Sequence, residues 1–312
     1  MNLQPGIIGK YLSVVYLAAV VVLSCGRRET ETLLPEQSQK QIKSIMETIH
    51  DPLELDGGVD YRSEISKNSF ITQSSFDQRG NLLSKDQFNS SGNREWRTIW
   101  KYDERGNLTE SATYHFKAAT SKRVNKYNAA NKLMESNAFD ETGKNTQQEI
   151  VKSDSSGRTM KVMYLFEKGI LVKTSEGFFD EKGNNVENHY FTDTRLTGKE
   201  INRFDNRGNR VETIIQYPVK KEERITHYKY DSLNNTIETI ALNGSLMIES
   251  KIIVRYDDQH NVVELVSYGI KGNVKERIGH HYEYDGEGNW IKDITFENKK
   301  PVSVRVRKIE YY

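Results

Sequence analysis

The chain reads as an all-β protein, an antiparallel meander of β-hairpin repeats with about 18 strands at two per period, preceded by a short N-terminal helix. Three observations predict this. A six-residue turn motif recurs nine times at a near-constant step, an aromatic or apolar column recurs half a period later, and no interval between copies has room for a crossover helix. The composition agrees. Of 312 residues, 17 are Tyr and 5 are Pro. Hydrophobic residues are 36% and aromatic residues 10%, too aromatic for a disordered chain and too polar for a large compact enzyme core. Lys plus Arg is 45 and Asp plus Glu is 44, which leaves no global field to steer nucleic acid or an anionic membrane. A single Cys excludes an intramolecular disulfide framework and a Cys-based zinc site.

Residues 1–24 have the pattern of an export signal. Lys10 is the only charge before Cys25, and residues 11–23 are predominantly apolar. That run is short of the roughly 20 residues a spanning helix needs. Val22-Leu23-Ser24-Cys25 resembles a bacterial lipobox, in which the chain is cut before Cys and the thiol carries a diacylglycerol. The expected mature chain begins at Cys25, has no free thiol, and balances 44 basic against 44 acidic residues. Two or more acyl chains would hold it firmly to a membrane.

Residues 25–60 read as a tether containing a short amphipathic helix. Arg27-Arg28-Glu29-Thr30 is polar, and Pro35 opens a stretch where Ile42, Ile45, Met46 and Ile49 recur at i, i+3, i+4 and i+7. Asp51-Pro52 should end the helix, and Asp56-Gly57-Gly58 should link it to the repeats. The helix is expected to cap the first strands of the repeat region.

Residues 61–312 form the repeat domain. The clearest turn hexamers start at Phe76, Tyr102, Phe179, Phe204 and Tyr284, with weaker copies at Tyr127, Ser153, Tyr230 and Tyr256. Their starts step by 26, 25, 26, 26, 25, 26, 26 and 28 residues. The turn residues are Asp77 and Gly80, Asp103 and Gly106, Asp180 and Gly183, Asp205 and Gly208, and Asp285 and Gly288. Asp accepts hydrogen bonds from backbone amides ahead of it, and Gly takes the left-handed position. Half a period later come Phe88, Tyr114, Phe139, Leu165, Phe191, Gln216, Leu242, Tyr268 and Phe296, with second turns near Gly92, Gly143, Gly169 and Gly272.

The flanking columns set a register. Seven residues after the opening aromatic stands a mostly apolar residue, expected to face that aromatic across a four-residue loop. The residue before the aromatic should then face the residue eight after it. Those pairs are Lys101–Glu110, Lys126–Glu135, Arg203–Glu212, Lys229–Glu238 and Arg255–Glu264, and in the last copy the signs exchange to Glu283–Lys292. A swap of sign that keeps the pair is the behaviour of true cross-strand neighbours. Lys152–Lys161 breaks the rule where the aromatic gives way to Ser153. Because twisted open sheets rarely exceed about 10 strands, the sheet is expected to curl into a solenoid, spiral or incomplete barrel. Stability should then build from unit to unit, with middle repeats the most sensitive.

Tyr-Asp-x-x-Gly-Asn recurring between aromatic strands resembles the YD repeats of bacterial RHS-type proteins, and the likeness covers residues 70–312. Large members form β-shells around a C-terminal toxin. This chain stops at Tyr311-Tyr312 with nine repeats, so it is similar to the small lipid-anchored type without a toxin domain, for which the resemblance implies a fold and no activity.

Little in the chain points to chemistry. No phosphate loop, nucleophile elbow or metal-ligand spacing occurs, and neither a cofactor nor a metal is expected. Adjacent His280 and His281 point to opposite strand faces. The column Glu110, Glu135, Glu187, Glu212, Glu238 and Glu264 has cationic partners in most repeats and reads as ion pairs. Trp96, Trp100 and Trp290 are the candidates for a glycan or partner platform, since stacked aromatics on a β-surface can hold sugar rings. The sequence therefore predicts a non-enzymatic, exported lipoprotein of the bacterial envelope, with the outer membrane as the expected site. It would bind the membrane through Cys25 and present its repeat surface to a protein or glycan, with no nucleic-acid partner. The alternative is a carbohydrate-active enzyme or other envelope hydrolase.

Overall fold

The computed structural model describes residues 40–312 except 56–57, 67–68 and 168–169; Cys25 and the signal lie outside the described residues. Lys40–Tyr312 is one compact unit. It contains 21 strands, every one paired antiparallel. The nine predicted hairpins are present as 18 consecutive strands, β3 (Ile71–Phe76) through β20 (Trp290–Glu297), each hydrogen-bonded to the next.

The sheet closes. β21 (Lys300–Tyr311) pairs with β20 on one side and with β1 (Ile42–Leu55) on the other, and β1 also pairs with β3. β2 (Gly58–Ile65) pairs with β1 alone, so 20 of the 21 strands form a closed barrel. The expectation of a solenoid, spiral or incomplete barrel is corrected accordingly. A ring of 20 strands at ~4.8 Å spacing and a tilt of about 40° is about 40 Å across when circular.

The expected helix is corrected too: Ile42, Ile45, Met46 and Ile49 lie in strand β1. Two unpaired edges, those of β21 and β3, would otherwise remain, and pairing with both satisfies more backbone groups than a surface helix could. Three Ile residues and Thr48 suit a strand between two neighbours. Within the stretch 25–60, read as tether and helix, residues 42–55 thus form β1 and residues 58–60 open β2. The ring pairing of β1 ends in a bulge between His50 and Pro52, beyond which residues 52–55 pair with β2. That hairpin reaches β20, where Asp60 lies 3.7 Å from Lys292 Nζ and Tyr61 lies 5.7 Å from it. Nearby Val304, Ile294 and His50 are buried.

The turn hexamer forms as its chemistry dictates. In the first copy, Asp77 N donates to Asn81 O (2.9 Å) and Gly80 N to Asp77 O (3.0 Å). Asp77 Oδ1 accepts from the amides of Arg79 and Asn81, and the Asn81 side chain donates to Oδ2. Asp103, Asp180, Asp205 and Asp285 each accept the matching amide four residues on. The fifth residue of the hexamer is left-handed throughout, at φ +80° in Gly80 and Gly288 and +85° in Gly208, with Asn131, Asn234 and His260 replacing Gly in three weaker copies.

The register holds at the charged pairs and differs at the aromatic. Lys101 is opposite Glu110, and Glu283 opposite Lys292 with Nζ–Oε1 at 3.1 Å. Tyr102, however, pairs with Leu108, six residues on, and Tyr284 with Trp290. A bulge then absorbs the residue at position seven, which restores the charged pair. The Ser153 hairpin has no bulge, so Lys152 faces Met160, while Lys161 lies 3.4 Å from Glu149.

Closure changes the stability expectation. The first repeat has neighbours on both sides, like the middle ones. Val at Gly80 or Gly208 would force a β-branched residue to a positive φ at a cost of about 1–3 kcal/mol. Gly80→Val and Gly208→Val should therefore lower the melting temperature by similar amounts, each in one cooperative transition. A Gly80→Val protein clearly more stable than Gly208→Val would mean that β3 has a free edge.

Candidate functional site

Strand alternation gives the barrel two faces with different chemistry. One bears the ion pairs and the other the opening aromatics.

On the ion-pair face the predicted pairs extend into a ladder. Glu110 lies 2.8 Å from Lys101 in its own hairpin and 2.7 Å from Lys122 on the next strand. Glu238 stands 2.6 Å from both Lys229 and Lys251. Glu264 bridges Arg255 and Arg277, Glu212 bridges Arg203 and His227, and Glu187 bridges Lys199 and His189. Glu135 pairs with Lys126. Hydrogen bonds from Lys101 and then Lys122 hold Glu110 below the usual carboxylate range, and Lys229 and Lys251 do the same for Glu238. Each exposed pair is worth only a few tenths of a kcal/mol, so the ladder's main effect is on register. The second cation was missed in the sequence because it comes from a different hairpin.

The aromatic face explains why Tyr opens so many repeats. Tyr102 OH donates to Leu82 O (3.0 Å), Tyr127 OH to Leu108 O (2.9 Å), Tyr230 OH to Arg210 O (2.8 Å) and Tyr256 OH to Thr236 O (3.0 Å). Each acceptor is the carbonyl six residues after the opening aromatic of the preceding repeat, so each Tyr clamps its hairpin to the one before. Arg in the turn reaches the other way, with Arg79 donating to Glu104 O and Arg105 to Ala129 O. Tyr284 and Tyr311 instead donate to Asp257 and Asp285. Burial first, and that bond second, push both phenols up to about 12.

The densest polar cluster lies at the seam. Asp293 on β20 has no exposed surface. Arg305 of β21 donates to it through Nε (3.0 Å) and Nη2, and His280 Nδ1 lies 3.0 Å from its other oxygen. Burial is the largest influence and raises the Asp293 pKa, yet the bond to His280 and the Arg305 charge together bring it below the usual value. Arg307 Cζ sits 3.4 Å over the Trp290 ring, and its Nε donates to Glu47 of β1 at 2.8 Å. The string Trp290–Arg307–Glu47 thus ties β20, β21 and β1 together. At the rim, Tyr312 OH donates to Phe76 O at 2.6 Å, carrying the clamp across the seam to the first repeat.

The three Trp side chains are not brought into one platform. Trp96 and Trp100 share strand β5 (Arg94–Tyr102), where Trp96 stacks on His115 at 4.3 Å. Trp290, on β20, is covered by Arg307 and touches Tyr282. Three other histidines are likewise engaged: His50 with Thr48 and backbone carbonyls, His189 between Glu176 and Glu187, and His260 with Asn235 from its left-handed turn. Among the described residues, no group of three or more His, Cys, Asp or Glu could hold a metal ion.

No family model and no curated protein matches the chain. Among solved structures it is similar to a porin-like protein from Bacteroides uniformis, at 7% identity and TM-score 0.32, over 87% of this chain and 96% of that one. A porin-like protein from Bacteroides vulgatus aligns at 11% identity and TM-score 0.26, over 87% and 99%. The TcdB2-TccC3-Cdc42 structure aligns at 11% identity and TM-score 0.22, over 83% of this chain and 19% of that one.

The clamp and the seam can each be tested by substitution. Tyr127→Phe and Tyr230→Phe should each cost about 1 kcal/mol, the net worth of one hydrogen bond, measured by denaturant unfolding. Asp293→Asn should cost about 3–5 kcal/mol, because Arg305 is left without its counter-charge. The native carboxylate has a lowered pKa, so its contribution is present above the unfolded value of 3.8 and is lost as pH falls through the folded value. The variant should accordingly show a shallower loss of melting temperature below about pH 4 than the wild type.

Proposed function

We propose that this chain is a non-enzymatic, lipid-anchored barrel of the bacterial envelope, a small relative of the YD-repeat proteins, whose wall presents a surface to a protein or glycan. The observation that carries the reading is the charge on both faces of the wall. A barrel that spans a bilayer needs an apolar outer band about 25 Å tall. Here the ion-pair face carries Lys122, Glu135, Lys199, Lys251 and Arg277 within its strands, and the aromatic face carries Glu47, Arg123, Glu200, Asp293 and Arg305. Asp293 is buried, but the other charges named are at least partly exposed, so whichever face is outward suits water better than lipid; attachment then falls to an anchor, and Cys25 after its short apolar run supplies one. The ladder carboxylates already sit beside cations, which suits them to holding strands in register rather than to acid–base work.

The anchor is tested by feeding cells a palmitate analogue. The wild-type chain should take up label and sediment with membranes, while Cys25→Ser should take up none. Equal labelling of the two would remove the lipoprotein reading.

A further inference from the structure

The two ends of the barrel differ. The nine hexamer turns hold twelve acidic and six basic residues, whereas the nine connections at the opposite end hold two acidic and seven basic. The basic end is also tipped with apolar side chains. Phe116, Ile170, Val219, Leu246, Met247 and Ile270 are 53–67% exposed, while among the described residues the hexamer turns show one comparable side chain, Leu233. Several tips adjoin Lys directly, as in Phe116-Lys117, Val219-Lys220-Lys221 and Ile270-Lys271.

Two of these tips stand against the preference of their own backbone. Leu246 has φ +60° at a turn position where the corresponding connections place Gly92, Gly143 and Gly272. Phe116 has φ +52° in a two-residue turn, where the matching connections begin with Asp193 and Asn298. Bulky apolar residues are disfavoured in the left-handed region and gain nothing from burial when exposed. A surface outside the chain that covered them would account for their presence.

We infer that the basic end of the barrel docks on an anionic membrane surface, its apolar tips entering the headgroup layer and its lysines facing the lipid phosphates. Apolar side chains flanked by Lys match that interface, where each cation near the surface adds to binding and salt weakens it. Tips on turns from β6–β7 round to β18–β19 lie along one end of the ring and can meet a plane together. The contact is separate from the proposed anchor. The fifteen Cα–Cα steps from Cys25 to Lys40 reach about 50 Å when extended, more than the about 33 Å of a ten-residue strand. An anchored chain can therefore turn this end toward the bilayer.

The test uses the Cys25→Ser chain, which cannot be acylated, with vesicles of phosphatidylcholine alone or mixed with phosphatidylglycerol. It should co-sediment with the mixed vesicles, weakly or not at all with phosphatidylcholine, and less as NaCl is raised. Adding Phe116→Asn, Leu246→Gly and Ile270→Ser should cut binding at least about tenfold. The first two changes restore residues the backbone prefers, so the melting temperature should stay or rise. Any contribution of the N-terminal residues is common to both proteins. Unchanged binding by the triple variant, or no binding to the mixed vesicles, would overturn the inference. So would a concentration-dependent dimer that the triple variant abolishes while vesicles bind nothing. Palmitate labelling of Cys25 is read independently, so either result can fail alone.

Discussion

Everything in this barrel depends on one pairing, the insertion of β1 between β21 and β3. Nineteen strands, β3 to β21, are joined in series by short turns, and a series has two ends. Each end would expose a row of unsatisfied amides and carbonyls. β1 is joined to β3 only through β2, and no turn connects it to β21. Side chains supply there what turns supply elsewhere. Glu47 bonds Arg307, Ser44 bonds Glu310, and the Tyr312 hydroxyl reaches Phe76 O while its backbone amide donates to Gln41 O. Asp293 and Arg305 lock the neighbouring strands beside this joint.

The remaining interactions divide between the two faces. The glutamate ladder fixes how far each strand slides along its neighbour, because a one-residue slip would turn every Glu to the opposite side. The tyrosine clamps fix how each hairpin sits on the one before it. Neither contribution is large per contact. Repetition makes them add, and closure lets every unit share the support of two neighbours.

The hairpins, their number and their charged register were legible because the signals are local: a turn hexamer, and a pair of residues nine apart whose signs exchange at Glu283–Lys292. The bulge at position seven was not, because an apolar residue there suits a facing pair as well as a bulged one. Ile42, Ile45, Met46 and Ile49 mimicked a helix, and the competing pull came from Arg305 and its neighbours, more than 250 residues away. Tyr opens five of the nine repeats and Phe three, and the hydroxyl was the available hint of a clamp. Asp293 was likewise visible as the one acid in a column that also holds Lys85, Ser111, Ser136, Val162, Asn188, Thr213, Thr239 and Leu265. The burial that makes it matter belongs to the folded ring.

The long sequence separation across the seam also governs how the chain can assemble. Hairpins form from residues that are already close, on a scale of microseconds, whereas residues 42–50 must find residues 304–311. Contacts of that separation form late. Until they do, β21 and β3 present open edges, and the arm that fits between them need not come from the same molecule. The β1 arm of one copy can enter the gap of another with the same hydrogen bonds. Dilution favours the closed monomer, while crowded partially folded chains favour exchange of arms. The joint that gives the finished barrel no edge is thus its point of vulnerability during folding.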